Sequence, residues 1–283
     1  MSGDGEPTPG LRYTQERFLP EMRGVTMLEH VHRYALAREL VAGRRVLDIA
    51  CGAGYGSWLM SQTAARVTGV DISEEAVASA RAAYRGDNLE FRQGSCSSIP
   101  VESASLDFVV SFETIEHHDE HEEMLAEVKR VLRPDGVLLI STPDRRVYSD
   151  EPKHSNPFHV KEYYADEFME LIHKHFASAA FYGQRMILGS CIGLISEEPV
   201  EAPLAAYHGT LDELQHSHHL PNPMYLIAVA GNQEPLPSLP LSLYSLSDQP
   251  ERPQRLLPHA RSVLKELWRR ASLRLGGSRR RRS

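Results

Sequence analysis

The stretch that decides the fold is Val46-Leu47-Asp48-Ile49-Ala50-Cys51-Gly52-Ala53-Gly54-Tyr55-Gly56, followed by Val67-Thr68-Gly69-Val70-Asp71. Residues 46–49 have the apolar pattern of a short buried strand, and three glycines at every second position then permit a turn that no side chain obstructs. Asp71 ends a second apolar strand about 20 residues further on, where an acidic side chain can accept hydrogen bonds from both hydroxyls of a ribose. Together the two segments predict a nucleoside site.

Two other glycine-rich loops are excluded by the residues that follow. The phosphate-binding P-loop requires Gly-Lys-Ser/Thr after its last glycine, whereas this chain continues Ser57-Trp58-Leu59. The dinucleotide fingerprint places its third small residue at Ser57, whereas the third glycine stands at Gly56. The pattern Asp-x-x-x-Gly-x-Gly-x-Gly instead resembles motif I of the class I methyltransferases that use S-adenosylmethionine. The alternative is a glycine turn that serves only strand-to-helix packing.

The resemblance implies that the glycine loop lies against the methionine part of S-adenosylmethionine. In the ubiquinone-related enzymes an arginine near the place of Arg33 meets the cofactor's carboxylate, although a surface salt bridge is the more ordinary role of an arginine. Many family members have an acidic residue after the third strand that contacts the adenine amino group. This chain has Gly94-Ser95-Cys96 there, so the Ser95 hydroxyl or a main-chain group must make that contact. The residues expected to bind the cofactor are Arg33, Asp48, Ala50, Gly52, Gly54, Tyr55, Asp71, Ile72, Ser95, Cys96 and Phe112.

Strand-like and helical segments alternate along the chain, which predicts an α/β Rossmann-like fold with a mostly parallel sheet and helices on both faces. The predicted strands are residues 46–49, 67–70, 89–91, 108–111, 137–141, 177–182 and 224–230. The predicted helices are residues 29–40, 74–85, 121–132 and 162–176. The resemblance implies that these seven strands complete the class I sheet, with the last strand antiparallel beside the fifth.

The bulk composition is that of a soluble globular protein. The 283 residues are 41% hydrophobic and 24% charged. There is no apolar run long enough for a membrane span and no signal-peptide segment at the start, so we expect a cytoplasmic protein. Cys51, Cys96 and Cys191 have no metal-ligand spacing and are expected to be reduced thiols.

The composition also predicts how the chain is divided. We expect a mobile N-terminus at residues 1–12, a methyltransferase domain at 13–231, a Pro/Ser/Leu-rich linker at 232–254 and a basic tail at 255–283. Within the domain, residues 190–223 form an insertion that carries several histidines. It could cover the acceptor site, or it could be an exposed variable loop.

The tail differs from the body in charge. Residues 255–283 contain ten arginines and lysines against the single acid Glu266, whereas the whole chain has a formal charge of −7. Apolar residues that include Trp268 recur at three- and four-residue intervals, which predicts a basic amphipathic helix. We expect this helix to lie on an anionic membrane surface, peripheral on its inner face; a helix packed on the domain and a protein-binding tail are the alternatives. The acidic body argues against nucleic acid as a partner.

The candidate acceptor chemistry lies after the fourth strand. If a helix begins there, Glu113, Glu116 and His117 stand at i, i+3 and i+4 on one face, close enough to share one ion. Glu-x-x-Glu-His resembles the metal motif of ubiquinone-biosynthesis O-methyltransferases and of small-RNA 2′-O-methyltransferases, and in the latter a further histidine completes the site, as His159 could here. Such a set suits Mg²⁺, Mn²⁺ or Fe²⁺. Alternatively, His117 or His159 is a metal-free general base, or the acids are a solvated helix N-terminus.

The acceptor is indicated only by resemblance. Residues 16–20, 28–34, 141–145 and 156–159 are similar to bacterial methyltransferases associated with cell-envelope polysaccharide assembly. This favours the hydroxyl of a sugar, in a glycan or a lipid-linked saccharide. The alternatives are a polyprenyl-quinone-like phenol, an RNA 2′-hydroxyl, and a non-catalytic cofactor-binding protein that acts as a membrane adaptor.

Overall fold

The computed structural model describes residues 25–187, 206–209 and 214–244. The predicted N-terminal segment 1–12, most of the insertion 190–223 and the tail 255–283 lie outside these residues, so the expectations about them stay predictions. The chain divides into two units, Met1–Ser242 and Leu243–Ser283, and every described helix and strand belongs to the first. No helix in the described ranges is long and apolar enough to cross a membrane.

A seven-stranded sheet forms the centre of the first unit. Its strands are β1 (Arg45–Ile49), β2 (Arg66–Asp71), β3 (Leu89–Gln93), β4 (Leu106–Phe112), β5 (Leu132–Pro143), β6 (Ser178–Gln184) and β9 (Tyr225–Gly231). Two further strands, β7 (Ala206–Gly209) and β8 (Leu214–Ser217), form a separate two-stranded ribbon. The helices are α1 (Val25–Leu40), α2 (Tyr55–Ser61), α3 (Glu74–Ala83), α4 (His121–Val131) and α5 (Ala165–His175).

The strand order is β3-β2-β1-β4-β5-β9-β6. The first five strands pair in parallel, and β9 lies antiparallel between β5 and β6, as the resemblance implied. Residues 46–49 are buried because β1 is a central strand with helices over both faces. Helices α1 and α2 pack on one face, and α4 and α5 pack on the other. The carboxyl ends of the central strands therefore meet at one edge, where ligands of such sheets bind.

No helix begins at Glu113, so the condition that would place Glu113, Glu116 and His117 on one helical face is not met. Glu113 has a left-handed φ of 50°, and its main-chain nitrogen donates to the main-chain oxygen of Ser141. A short 3₁₀ turn follows at Ile115–His117, and α4 begins only at His121. The neighbouring strand β5 holds the chain after β4 in this turn, so Glu113 does not share a helical face with Glu116 and His117.

Two further segments differ from the predicted organisation. Within the predicted insertion, β7 and β8 pair as an antiparallel ribbon. Within the predicted linker, Leu236 and Leu239 pack against the core, and the main-chain nitrogen of Leu239 donates to the Tyr182 hydroxyl. The first unit accordingly includes residues up to Ser242.

Candidate active site

The glycine turn between β1 and α2 needs its glycines for conformation and for space. Ala50, Gly52 and Gly54 have left-handed φ values of 58°, 53° and 82°. A Cβ on Gly54 would lie 2.7 Å from the Cβ of Ala80, and a Cβ on Gly56 would lie 2.1 Å from the Tyr34 ring. Contacts this close are not tolerated, so any larger residue at either position must displace a helix or a ring. The turn is therefore held tightly against α1 and α3.

Two acidic side chains hold the turn in different ways. Asp71 accepts hydrogen bonds from the main-chain nitrogens of Gly52, at 2.8 Å, and Ser73, at 2.9 Å. Asp48 is fully buried and accepts from the hydroxyls of Tyr34, at 3.0 Å, and Ser57, at 2.6 Å. Burial raises the pKa of Asp48 to about 7. Asp48 supports the loop from beneath, so the cofactor contact predicted for it would be indirect, whereas Asp71 lies at the edge of the site.

Arg33 is buried on α1 with unused hydrogen-bonding capacity. One terminal nitrogen donates to Gln184 Oε1 at 2.5 Å, and the other lies 3.8 Å from Glu113 Oε1. Its guanidinium carbon lies 4.8 Å from the centre of the Tyr225 ring and 5.9 Å from that of Phe112. Among the described residues, neither its Nε nor its second terminal nitrogen finds a hydrogen-bond acceptor. A buried guanidinium with two such donors is suited to an anionic ligand group, because unpaired buried donors are costly.

The remaining predicted cofactor residues lie around the same strand ends. Ile72 follows Asp71 and is 72% exposed. The Ser95 hydroxyl bonds to the Ser97 hydroxyl at 2.9 Å, so it is engaged within its own loop. The Cys96 sulfur lies 3.4 Å from His118 Nε2, and the Tyr55 hydroxyl lies 3.0 Å from His30 Nδ1.

Glu116, His117 and His159 come together on the acceptor side of this edge. Each offers one ligand atom, and these atoms lie within 4.8 Å of one another. The Nδ1 of His117 donates to the Phe158 main-chain oxygen at 3.2 Å, and the Nδ1 of His159 donates to Glu162 Oε1 at 2.6 Å. The Nε2 of His117 lies 4.0 Å from Glu116 Oε1. A histidine ring whose Nδ1 is held by an oxygen is typical of metal-ligating histidines.

The two candidate carboxylates have separate environments. Burial raises the pKa of Glu116 well above its usual range, and the nearby charge of Glu113 raises it further. Glu116 therefore favours either a proton or a cation beside it. Glu113, predicted as a fourth metal ligand, instead accepts from the Ser141 hydroxyl at 2.6 Å and faces Arg33, so the structure removes it from the cluster.

Known methyltransferases resemble this chain in sequence and in fold. Residues 47–140 match the family model described as a methyltransferase domain. A solved protein in complex with the Trm112 methyltransferase activator of Haloferax volcanii shares the fold, with a TM-score of 0.52 at 22% identity over 76% of this chain and 91% of that one. Residues 47–140 thus match a methyltransferase domain, and the chain has the class I methyltransferase fold.

Two curated relatives resemble this methyltransferase domain in sequence. A probable S-adenosylmethionine-dependent methyltransferase of Mycolicibacterium smegmatis is 40% identical over 167 residues, which are 57% of this chain and 63% of that protein. A ubiquinone biosynthesis O-methyltransferase of Aromatoleum aromaticum is 34% identical over 108 residues, which are 37% of this chain and 46% of that protein. The chain thus spans less than two thirds of the length of each relative.

The residues of the methyltransferase domain fit the cofactor that the family implies. A carboxylate such as that of Asp71 can accept from ribose hydroxyls, and an exposed apolar side chain such as Ile72 can cover an adenine face. The buried donors of Arg33 fit the carboxylate of a methionine moiety. The carboxylate and two imidazoles of Glu116, His117 and His159 fit a divalent cation of the Mg²⁺, Mn²⁺ or Fe²⁺ kind.

Sequence reasoning missed several residues of this edge. Glu29, Gln184, Tyr148 and Tyr225 surround Arg33 and His159, yet no motif marks them. They come from α1, β6, the segment after β5 and β9, and only strand pairing brings them together. Two of them had a position in the predicted elements: Glu29 begins the predicted helix 29–40, and Tyr225 is the second residue of the last predicted strand.

Proposed function

We propose that the chain transfers a methyl group from S-adenosylmethionine to an acceptor hydroxyl. The observation that carries the proposal is that the glycine turn tied to Asp71 and the His117/His159 pair lie beyond the carboxyl ends of central strands, with the buried Arg33 of α1 beside Glu113 and Phe112 at the end of β4. The glycine turn and Arg33 fit the methyl donor, and the imidazole pair fits a hydroxyl that must lose a proton. The residues proposed for the methyl donor and those proposed for the methyl acceptor therefore lie at one edge of the sheet.

Methyl transfer requires the protein to align the acceptor with the methyl group and to remove the proton of the acceptor hydroxyl. A methyl group on a sulfonium is already activated, and holding the acceptor in line with the S–CH₃ bond can supply up to about 7–11 kcal/mol. A hydroxyl is a weak nucleophile while protonated, so a neutral imidazole nearby assists by taking the proton. His159 suits this task because Glu162 holds its Nδ1 and stabilises the ring once it is protonated.

A divalent cation is the second way to activate the hydroxyl. Glu116, His117 and His159 would hold it, and a bound cation lowers the pKa of an oxygen ligand. The buried carboxylate of Glu116 favours this alternative, because a neighbouring cation would offset its desolvation. The two alternatives share residues and differ in their response to chelation.

For the acceptor we propose a sugar hydroxyl, with a polyprenyl-quinone-like phenol as the alternative. Support for the sugar is the resemblance of residues 141–145 and 156–159 to polysaccharide-associated methyltransferases. Support for the phenol is the name of the Aromatoleum relative, which matches 37% of this chain. RNA is disfavoured by the acidic body, and a non-catalytic membrane adaptor would leave the imidazole pair without a role.

Isothermal titration calorimetry with S-adenosylmethionine and S-adenosylhomocysteine tests the proposal. We expect both to bind the purified full-length chain, and Arg33→Gln to weaken binding about tenfold or more through the lost carboxylate contact. Glu123→Gln on the exposed face of α4 is the matched control and should bind as the wild type does. Absence of binding by the wild type would reject the proposal.

A further inference from the structure

Two tyrosines form a surface between Arg33 and His159 that no part of the proposed function has used. Tyr225 is the first residue of β9 and pairs with Pro143, the last residue of β5. Tyr148 lies just beyond β5, in a π-helical turn at Arg146–Asp150. Both rings are half-buried. We call Tyr148 and Tyr225 the aromatic wall.

The aromatic wall connects the two chemical ends of the site. On one side the Tyr148 ring stacks on His159, with ring centres 5.3 Å apart and an interplanar angle of 28°. On the other side its centre lies 6.4 Å from that of Tyr225, and the guanidinium carbon of Arg33 lies 4.8 Å from the Tyr225 ring centre. A continuous series of ring contacts thus runs from the imidazole to the guanidinium.

The structure holds both tyrosines in defined positions. The Tyr225 hydroxyl donates to Glu29 Oε2 at 3.1 Å. The main-chain nitrogen of Tyr148 donates to the Asp144 main-chain oxygen at 2.8 Å, and the Asp144 carboxylate accepts from the nitrogen of Arg146 at 3.0 Å. A π-helical turn is rare and is frequently found at functional sites. Here the turn places Tyr148 against His159.

We infer that the aromatic wall is the subsite for the acceptor, and that it takes the flat face of a hydroxylated six-membered ring. This inference rests on the proposed function and names its substrate class. The apolar face of a sugar ring and the face of a phenol both pack on tyrosine rings. A ring on the wall would bring its hydroxyl beside His159, and Tyr148 would act as a positioning residue by fixing the imidazole plane.

Ligand-observed saturation-transfer NMR on the full-length chain with saturating S-adenosylhomocysteine tests the inference. The probes are methyl β-glucopyranoside for the sugar source and methyl 4-hydroxybenzoate for the phenol source. We expect at least one probe to bind, and which one binds identifies the source of the ring. Tyr148→Ala should weaken its binding about tenfold, and Tyr148→Phe should stay within about twofold, since the ring face is kept.

Tyr84→Ala is the matched control, because Tyr84 is also half-buried and stacks on another ring, that of Trp58, at 5.6 Å. It should leave probe binding unchanged. If Tyr148→Ala does not fold by circular dichroism, Tyr148→Leu replaces it, since leucine keeps apolar volume without a ring face. A second readout is the NMR chemical shifts of the His159 ring protons, which should move in Tyr148→Ala, because the ring current of Tyr148 is lost, and not in Tyr148→Phe.

Two results would overturn the inference: neither probe binds the wild type, or Tyr148→Ala binds the probe as tightly as the wild type. Calorimetry with S-adenosylhomocysteine on the same samples separates this failure from that of the proposed function. If the wild type binds S-adenosylhomocysteine while the wall variants have no effect, only the acceptor subsite is rejected. If the wild type does not bind S-adenosylhomocysteine, the proposed function itself fails.

Discussion

The carboxylate of Asp71 accepts a hydrogen bond from the main-chain nitrogen of Gly52 at 2.8 Å. This contact ties the end of β2 to the middle of the glycine turn. The side chain that fits a ribose therefore also fixes the loop beside the methionine end of the site. The proposed ribose contact and the loop geometry are therefore coupled through one residue.

Asp71→Asn should weaken S-adenosylhomocysteine binding about tenfold and lower the free energy of unfolding by about 1–2 kcal/mol. An amide has one acceptor oxygen and cannot accept from both Gly52 and Ser73. Calorimetry and urea unfolding measure the two effects. Asp87→Asn, at an exposed position, is the control, and equal affinities for the two variants would contradict the coupling.

Gly54→Ala should destabilise the protein more than Gly43→Ala does. Both glycines have left-handed φ values, 82° and 70°, so both changes carry the conformational cost of about 1–2 kcal/mol. Only Gly54→Ala adds a steric cost, because the new Cβ would lie 2.7 Å from the Cβ of Ala80. A Cβ added at Gly43 would have no atom within 4 Å. Urea denaturation midpoints measure the difference, and similar midpoints would show that the turn can shift.

Asp48 should make stability fall as the pH rises. Its pKa is raised to about 7 in the folded protein and lies near about 3.9 when unfolded. Between these values the folded protein holds a proton that the unfolded chain has lost, so the free energy of unfolding decreases with pH in that window. The contribution is fully present below the unfolded pKa and is lost as the pH passes the folded one.

The comparison that isolates this effect is wild type against Asp48→Asn, which cannot titrate. From about pH 4 to about pH 8, the wild type should lose up to about 4 kcal/mol relative to the variant. Urea unfolding at several pH values gives the two curves. Parallel curves would mean that Asp48 titrates alike in both states.

Glu116→Gln should weaken Mn²⁺ binding at least about tenfold, because it removes the charged ligand from the cluster with His117 and His159. Electron paramagnetic resonance of Mn²⁺ added to chelator-treated protein measures it. Glu123→Gln should bind as the wild type does. A wild type that takes up no Mn²⁺ would favour a metal-free imidazole base, and methyl transfer would then resist chelation.

The predicted basic tail, which lies outside the described residues, should bring the chain to anionic vesicles. Replacing Arg279, Arg280, Arg281 and Arg282 by Gln in the full-length chain should reduce co-sedimentation with phosphatidylserine vesicles, since each cation near such a surface contributes about 1 kcal/mol. Phosphatidylcholine vesicles are the control. Undiminished co-sedimentation of the variant would reject a role for these arginines.

Much of the fold follows from local patterns in the sequence. Apolar runs such as residues 46–49 and 67–70 form strands because central strands are buried on both faces, and this burial is visible in composition alone. The turn from Gly52 to Gly56 was also predictable, because left-handed backbone and close packing both select glycine. Motif spacing placed Asp71 correctly at the end of β2.

The acceptor side depended on contacts between distant segments. Glu113 was grouped with Glu116 and His117 by helical spacing, but Ser141 on the neighbouring strand holds Glu113 in a left-handed turn and turns it toward Arg33. The burial of Asp48 beneath Tyr34 was equally invisible, because it arises from the packing of α1.

By itself, the sequence determined the seven strands of the central sheet, the glycine turn and the acid that ties it. These depend on residues close together along the chain, where backbone sterics and periodicity act. Only the tertiary structure decided which of the candidate ligands meet, how Asp48 is buried and that Tyr148 and Tyr225 stand between Arg33 and His159. Those relationships arise from the pairing of β5 with β9 and from helix packing, whose partners are many residues apart.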